Sequence, residues 1–293
     1  MKYFHILTLS LLALSITSCG QGVNGAGRAV LQNKGSDTLV NVAQAWAEHY
    51  SEVNPSIAVA VTGGGSGTGI SSMINGTVDI ANSSRAMKER ELEAARSNGI
   101  EPLKHIVGYD ALAVYVHPDN PIESISMDQL RAIYGEGGEV TTWSQMGVKV
   151  PENANEIVRV SRQNNSGTYA YFKEAVLGKT GEYKLGSLDL HGSKDVVELC
   201  EKTRGAIGYS GLAYATDHVK LVPVVGEGGA PVVPTVLTAI DGSYPIARPL
   251  FMYTAGEPEG FVKEYLDWIM SPEGQGIIFS KGYAPVDASV VQG

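Results

Sequence analysis

The chain has 293 residues, 43% of them hydrophobic and 18% charged, a globular composition that excludes a disordered or fibrous class. That length holds one large or two ordinary domains, each able to bury its own core. The formal charge of −9, with no cluster of Lys and Arg, argues against a nucleic-acid partner, because such proteins meet phosphates with a basic face.

Met1 to Ser18 reads as a processing segment, with Lys2, an apolar core from Ile6 to Ile16 and small residues leading into Cys19. Its apolar core, about 11 residues long, is too short to span a bilayer. The pattern resembles a bacterial lipoprotein signal, which implies cleavage before Cys19 and acylation of that cysteine. The domain would then be held on a membrane surface without a transmembrane helix. Cys19 to Val30 is read as a flexible tether, whose glycine-rich part from Gly20 to Gly27 reaches about 15 Å as a coil. Cys200 is the one other cysteine, on the apolar side of an expected helix with Val196 and Val197; it is read as core, and no internal disulfide or thiolate metal site follows.

Ser36-Asp37-Thr38 precedes a helical stripe of Leu39, Val42, Ala43, Trp46 and Tyr50, which makes Ser36 or Asp37 a helix cap or part of a donor cluster. A β-branched run from Ile57 to Val61 then enters Thr62 to Ile70, with five glycines in nine residues. Such a loop leaves backbone amides uncovered, and between a strand and a helix it outlines an anion site. It matches neither a dinucleotide fingerprint, nor an NTPase loop ending in Gly-Lys-Ser/Thr, nor a nucleophile elbow. Ser66-Gly67-Thr68 is echoed by Ser166-Gly167-Thr168, again between an apolar run (157–160) and an amphipathic segment (169–177). Two such donor-rich turns can close on one ligand from opposite sides.

Between them the pattern predicts a short helix over 70–75, a buried strand from Val78 running into the polar turn Ser83-Ser84-Arg85, and an exposed helix over 88–98 ending at Gly99. Strands follow at 103–108 and 111–116, interrupted by Tyr109-Asp110. The rhythm restarts with a helix over 127–134 capped by Ser126, a strand at 157–161, a helix over 194–203, and strands at 206–209 and 219–225 before a loop at 226–230. A strand at 249–254, a helix opened by Pro258 and a last helix opened by Ser271-Pro272-Glu273 complete the chain. Alternating strands and helices predict an open α/β sheet, and the restart of the rhythm in the middle of the chain predicts a second α/β domain.

Five segments in order carry a resemblance: Gly-Ser-Gly-Thr-Gly after a strand, Val-Asp-Ile-Ala-Asn-Ser-Ser-Arg, Arg162 to Thr168, Gly205-Ala206-Ile207-Gly208-Tyr209, and Ser-Pro-Glu-Gly-Gln. From about Val30 to Pro285 the chain resembles the phosphate-binding proteins of bacterial ABC phosphate importers. The resemblance implies a two-lobed periplasmic-binding-protein clamshell with two hinge crossings, placed near 108–110 and 247–250. One lobe would comprise 31–108 with 248–293, the other 109–247, and the anion would be buried between them by hinge closure. It also implies a chain that binds inorganic phosphate and delivers it to a membrane-embedded ABC permease; a monomer without cofactor or metal is expected.

The implied ligand set is Ser36, Asp37 and Thr38; Ser66 and Gly67; Ser84 and Arg85; and Arg162, Ser166, Gly167 and Thr168. Many N–H and O–H donors with one or two guanidinium groups can replace the water of a buried oxyanion, and Arg162 is expected to bind it bidentately. Arg85 fits equally as a second positive charge or as a partner for Asp79. One departure stands out: where the family's aspartate accepts the proton of hydrogen phosphate, this chain has Ser84. Asp37 or Asp110 is the expected replacement. The changed position also keeps open a receptor for sulfate, molybdate or tungstate. From another class, an envelope phosphatase using a serine or threonine lacks a nearby base, and the six histidines show no metal-ligating spacing.

Overall fold

The computed structural model describes residues 28–287 and 289; the expected signal segment, Cys19 and residues 20–27 of the tether lie outside them. The chain runs β1 (Ala29–Gly35), α1 (Val40–Val53), β2 (Ile57–Thr62), α2 (Ser66–Ile74), β3 (Ile80–Ser83) and α3 (Glu89–Ser97) before a long strand, β4 (Leu103–Val116). After β5 (Ile125–Ser126) and α4 (Met127–Tyr134) come β6 (Val158–Arg162), α5 (Gly167–Phe172), β7 (Leu188–Leu190), α6 (Ser193–Lys202) and β8 (Ala206–Gly211). Three short strands, β9 (Lys220–Val222), β10 (Val224–Val225) and β11 (Pro231–Val232), lead to α7 (Val236–Ile240), β12 (Ala247–Thr254), α8 (Gly260–Ile269) and α9 (Pro272–Ser280).

The main sheet has the order β2-β1-β3-β12-β4-β8-β6-β7, with β9 on β4. Its geometry explains how one sheet serves two lobes. β4 pairs with β12 as far as Ala111, opposite Ala247, and from Leu112 onward pairs with β8. On one side of that handover a core gathers Leu31, Trp46, Ile80, Val107, Leu250, Met252 and Ile278; on the other, Val114, Tyr134, Trp143, Phe172, Ile207 and Tyr209 form a separate core. Within β12 the pleat sends Leu250 and Met252 to one face and Phe251 and Tyr253 to the other, so both faces are covered, as expected of a strand with helices on each side. Trp46 Nε1 donates to the Gly274 carbonyl at 2.7 Å, joining α1 to the returning α9.

Several expectations are corrected. The tether ends sooner than Val30, because Ala29 and Val30 already pair with Ile57 and Ala58 at the start of β1. Tyr109 and Asp110 do not interrupt the sheet: they stay in the ladder opposite Pro249 and Arg248, while Tyr109 exchanges both backbone hydrogen bonds with Ala284. The expected strand at 219–225 is broken by Pro223, which has no N–H to donate, and its halves join different sheets. Neither Ser36 nor Asp37 caps α1; Leu39 occupies that position without a side-chain cap, and the two polar groups are used elsewhere. By contrast Ser126 and Ser271 accept the Gln129 and Gly274 amides at 3.1 Å and 3.3 Å, the capping geometry their spacing predicts. Cys200 is fully buried in the core of α6 and β8, and burial pushes its thiol up to about 12. Among the described residues no helix is long and apolar enough to cross a membrane.

Candidate functional site

The glycine loop is built for close approach. Gly64 and Gly65 have φ of +114° and +88°, which a side chain would strain, and a β-carbon on Gly65 would sit 2.8 Å from the Asn165 carbonyl. Across the lobes, Gly67 N–H donates to that carbonyl at 3.0 Å and Asn165 Nδ2 donates to the Gly64 carbonyl at 2.9 Å. The two serine-glycine-threonine turns therefore face each other, fastened by Asn165. The Gly67 amide, expected as an anion donor, is spent on this fastening.

Behind the loop, hydroxyls from four segments meet. Ser36 Oγ donates to Ser84 Oγ at 2.9 Å, Ser84 and Ser66 hydroxyls lie 3.4 Å apart, and Ser66 Oγ accepts the Ser84 amide at 3.0 Å. Thr38 and Thr168 hydroxyls meet from opposite lobes at 3.0 Å. Ser166 caps α5, accepting the Thr168 and Tyr169 amides. Each of these six hydroxyl side chains is buried, as is Arg162.

Gly167 fits because it has no side chain: a β-carbon there would collide with the Ser66 and Ser84 hydroxyls. Gly167→Ala is helix-compatible in its own lobe, so its cost falls on closure. It should weaken anion binding by about 1–3 kcal/mol, the scale of an overpacked contact, with unchanged circular dichroism. An unaltered affinity by calorimetry would remove Gly167 from the closed interface.

Two ion pairs frame the hydroxyls. Arg162 Nη2 donates to Asp37 Oδ2 at 2.9 Å across the lobes, Nη1 donates to Ser193 Oγ at 2.9 Å, and Nε and Nη2 reach the His191 carbonyl. Burial lowers the Arg162 guanidinium, Asp37 opposes that shift, and nearby Arg248 adds to it. Asp37 uses its second oxygen to accept the Gly64 amide at 2.9 Å. The expected bidentate fork of Arg162 is thus turned largely onto protein acceptors.

Arg248, which the sequence reading missed, is the guanidinium in contact with the hydroxyls. Its Nη2 reaches Thr38 Oγ1 at 3.2 Å and Thr168 Oγ1 at 3.1 Å, one in each lobe, while Nη1 donates to the Ser84 carbonyl. It pairs with Asp110 at 2.8 Å, both side chains fully buried. Burial raises the Asp110 carboxyl against the opposing Arg248 charge and Leu212 backbone N–H, and among the described residues Asp110 Oδ1 makes no hydrogen bond of normal geometry. The available signal was a lone arginine in an otherwise apolar strand, at the expected second crossing.

Arg85 does not pair with Asp79, whose carboxylate accepts the Gln32 amide at 2.7 Å. Its fork instead holds Glu91 with two bonds of 2.7 Å, so its charge is compensated beside the site. Burial alone would raise the Glu91 carboxyl, but the hydrogen bonds from Arg85 and the Lys88 amide outweigh it and hold the group low. Among the described residues no cluster of His, Cys, Asp and Glu can hold a metal ion.

A buried set of hydroxyls and guanidinium groups from both lobes is suited to an oxyanion, and comparison with known proteins decides the family. A model of the PBP superfamily domain matches residues 22–273. The phosphate-binding protein PstS of Pseudomonas aeruginosa is 34% identical over 274 residues, covering 89% of this chain and 84% of that protein. The chain belongs to this family of phosphate-binding proteins. PstS of Bacillus subtilis is also 34% identical, over 253 residues that cover 86% of this chain and 79% of that protein. A solved structure of a putative phosphate ABC transporter substrate-binding protein from Clostridium perfringens, with bound phosphate, has a TM-score of 0.78 at 28% identity and covers 88% of this chain and all of that one. The fold is accordingly the two-lobed periplasmic-binding-protein fold, and this family consists of transport-related binding proteins rather than enzymes.

Proposed function

We propose that this chain is an extracytoplasmic receptor that captures inorganic phosphate between its lobes and delivers it to a membrane-embedded ABC permease, working as a monomer anchored by lipid on Cys19. The lobes would divide at the handover within β4 and along β12, as 31–108 with 248–293 and 109–247. The observation that carries the reading is Arg248 Nη2 in contact with Thr38 and Thr168, hydroxyls that belong to opposite lobes. A ligand held there ties closure to binding. Calorimetric titration of anion-stripped protein with phosphate, sulfate and molybdate tests it: tight phosphate binding is expected, and no binding of any oxyanion would overturn it.

Ser84 supports a second reading, a receptor for sulfate, molybdate or tungstate, because a neutral hydroxyl does not repel an unprotonated anion. The balance turns on an acceptor for the phosphate proton. Of the two expected carboxylates, Asp37 has both oxygens engaged, whereas among the described residues Asp110 keeps one without a hydrogen bond of normal geometry. Asp110 is therefore the stronger candidate. Asp110→Asn should narrow the preference for phosphate over sulfate by at least about tenfold, since an unpaired acceptor is what rejects the wrong anion. An unchanged preference would remove Asp110 from that role.

A further inference from the structure

Outside the hydroxyl cluster a cleft of about 650 Å³ opens between the lobes. Its lining includes Arg85, Lys88, Lys173, Lys179 and Arg248 against a single carboxylate, Glu174, with Tyr169 and Tyr171 as walls. In a chain of net charge −9 this is a local reversal of sign. Three of the cations are compensated, Arg85 by Glu91, Lys173 by Glu182 and Arg248 by Asp110. Lys88 and Lys179 form no salt bridge among the described residues and are exposed. Lys88 stands before α3, and Lys173 and Lys179 lie beyond α5 in the facing lobe. The Lys88 ammonium is held below its ordinary value by partial burial, then by Arg85 and Arg90, and also by Lys173, with Glu91 opposing. Of the facing lobe's cations, Lys173 is thus near enough to oppose the Lys88 charge. Arg248, which lines the cleft, touches both Thr38 and Thr168, so one side chain joins the cleft to the hydroxyls.

We propose that this cleft is a cationic entrance that draws the oxyanion in before the lobes bury it, with Lys88 and Lys179 setting the association rate and Arg248 receiving the anion. The inference rests on the oxyanion-receptor reading above. Its physical basis is that an acidic protein repels a dianion at long range, whereas a cleft lined by one sign of charge with low-dielectric walls focuses field and raises association by a factor of about 10 or more.

The test measures phosphate Kd by calorimetry and the release rate by trapping radiolabelled phosphate with excess cold phosphate; release divided by Kd gives association. At about 10 mM salt, where charge acts over about 30 Å, the Lys88→Gln, Lys179→Gln double variant should raise Kd by about three- to tenfold with unchanged release. The difference should close at about 1 M salt, where the range falls to about 3 Å. Glu174→Gln should shift association the opposite way. Equal association rates in wild type and double variant at low salt would overturn the proposal. So would a weakening that persists at high salt with faster release, which would make the lysines contacts of the bound anion. Absence of phosphate binding by the wild type would instead overturn the receptor reading itself.

Discussion

Replacing Arg248 by Met should both destabilise the protein and weaken phosphate binding. Removing one partner of a fully buried ion pair leaves the other charge without compensation, at a cost of about 3–5 kcal/mol. Asp110 is poorly placed to tolerate this, because among the described residues one of its oxygens already lacks a hydrogen bond of normal geometry, and burial already raises its carboxyl. The sign with pH follows. An acid whose folded pKa lies above its unfolded value of 3.8 makes the fold less stable as pH rises from that value through the raised one. Without Arg248 the folded value rises further, so the variant's deficit should widen with pH and shrink on acidification. Urea denaturation at several pH values reads this directly. Pairing Arg248→Met with Asp110→Leu should recover most of the stability, since an apolar pair can replace a buried ionic one. Binding should stay weak, because the donor to Thr38 and Thr168 is still absent. A single variant as stable as wild type, or a double variant that regains affinity, would contradict this account.

Much of the site was legible because its parts are local in sequence. The five glycines of 62–70 announce a loop of uncovered amides, and Ser66-Gly67-Thr68 with its echo Ser166-Gly167-Thr168 announces two donor-rich turns able to face each other. Each signal depends on neighbours within a few residues. What was not legible depends on pairing between distant strands. Asp110 and Arg248 are 138 residues apart and meet because β4 and β12 are in register there. The same registry keeps Tyr109 and Asp110 inside one strand, although alone they look like a break. The cap reading of Asp37 failed for a related reason: a polar residue before a helical stripe is usually a cap, but here its carboxylate accepts the Gly64 amide and, from the opposite lobe, the Arg162 guanidinium. The split of the 219–225 strand, in contrast, was written in Pro223.

Arg162→Ala should weaken phosphate binding by at least about 2 kcal/mol, the lower range for truncating one member of a buried charge pair. A loss under tenfold would place Arg162 outside the site. The geometry adds a distinction that the affinity alone does not make. Arg162 holds Asp37 from the opposite lobe, and its other resolved contacts go to Ser193 and to the carbonyls of Leu190 and His191. Truncation therefore removes a cation and also leaves the Asp37 carboxylate without its partner, facing an incoming anion. If the second effect dominates, Arg162→Ala combined with Asp37→Ala should regain most of the affinity. If Arg162 also donates directly to phosphate, the double variant stays weak. Arg162→Lys separates geometry from charge, because a lysine keeps the cation but cannot reach Asp37, Ser193 and the His191 carbonyl at once. Its affinity should fall nearer to that of the alanine variant than to wild type, which would show that the fork, more than the charge, couples the lobes.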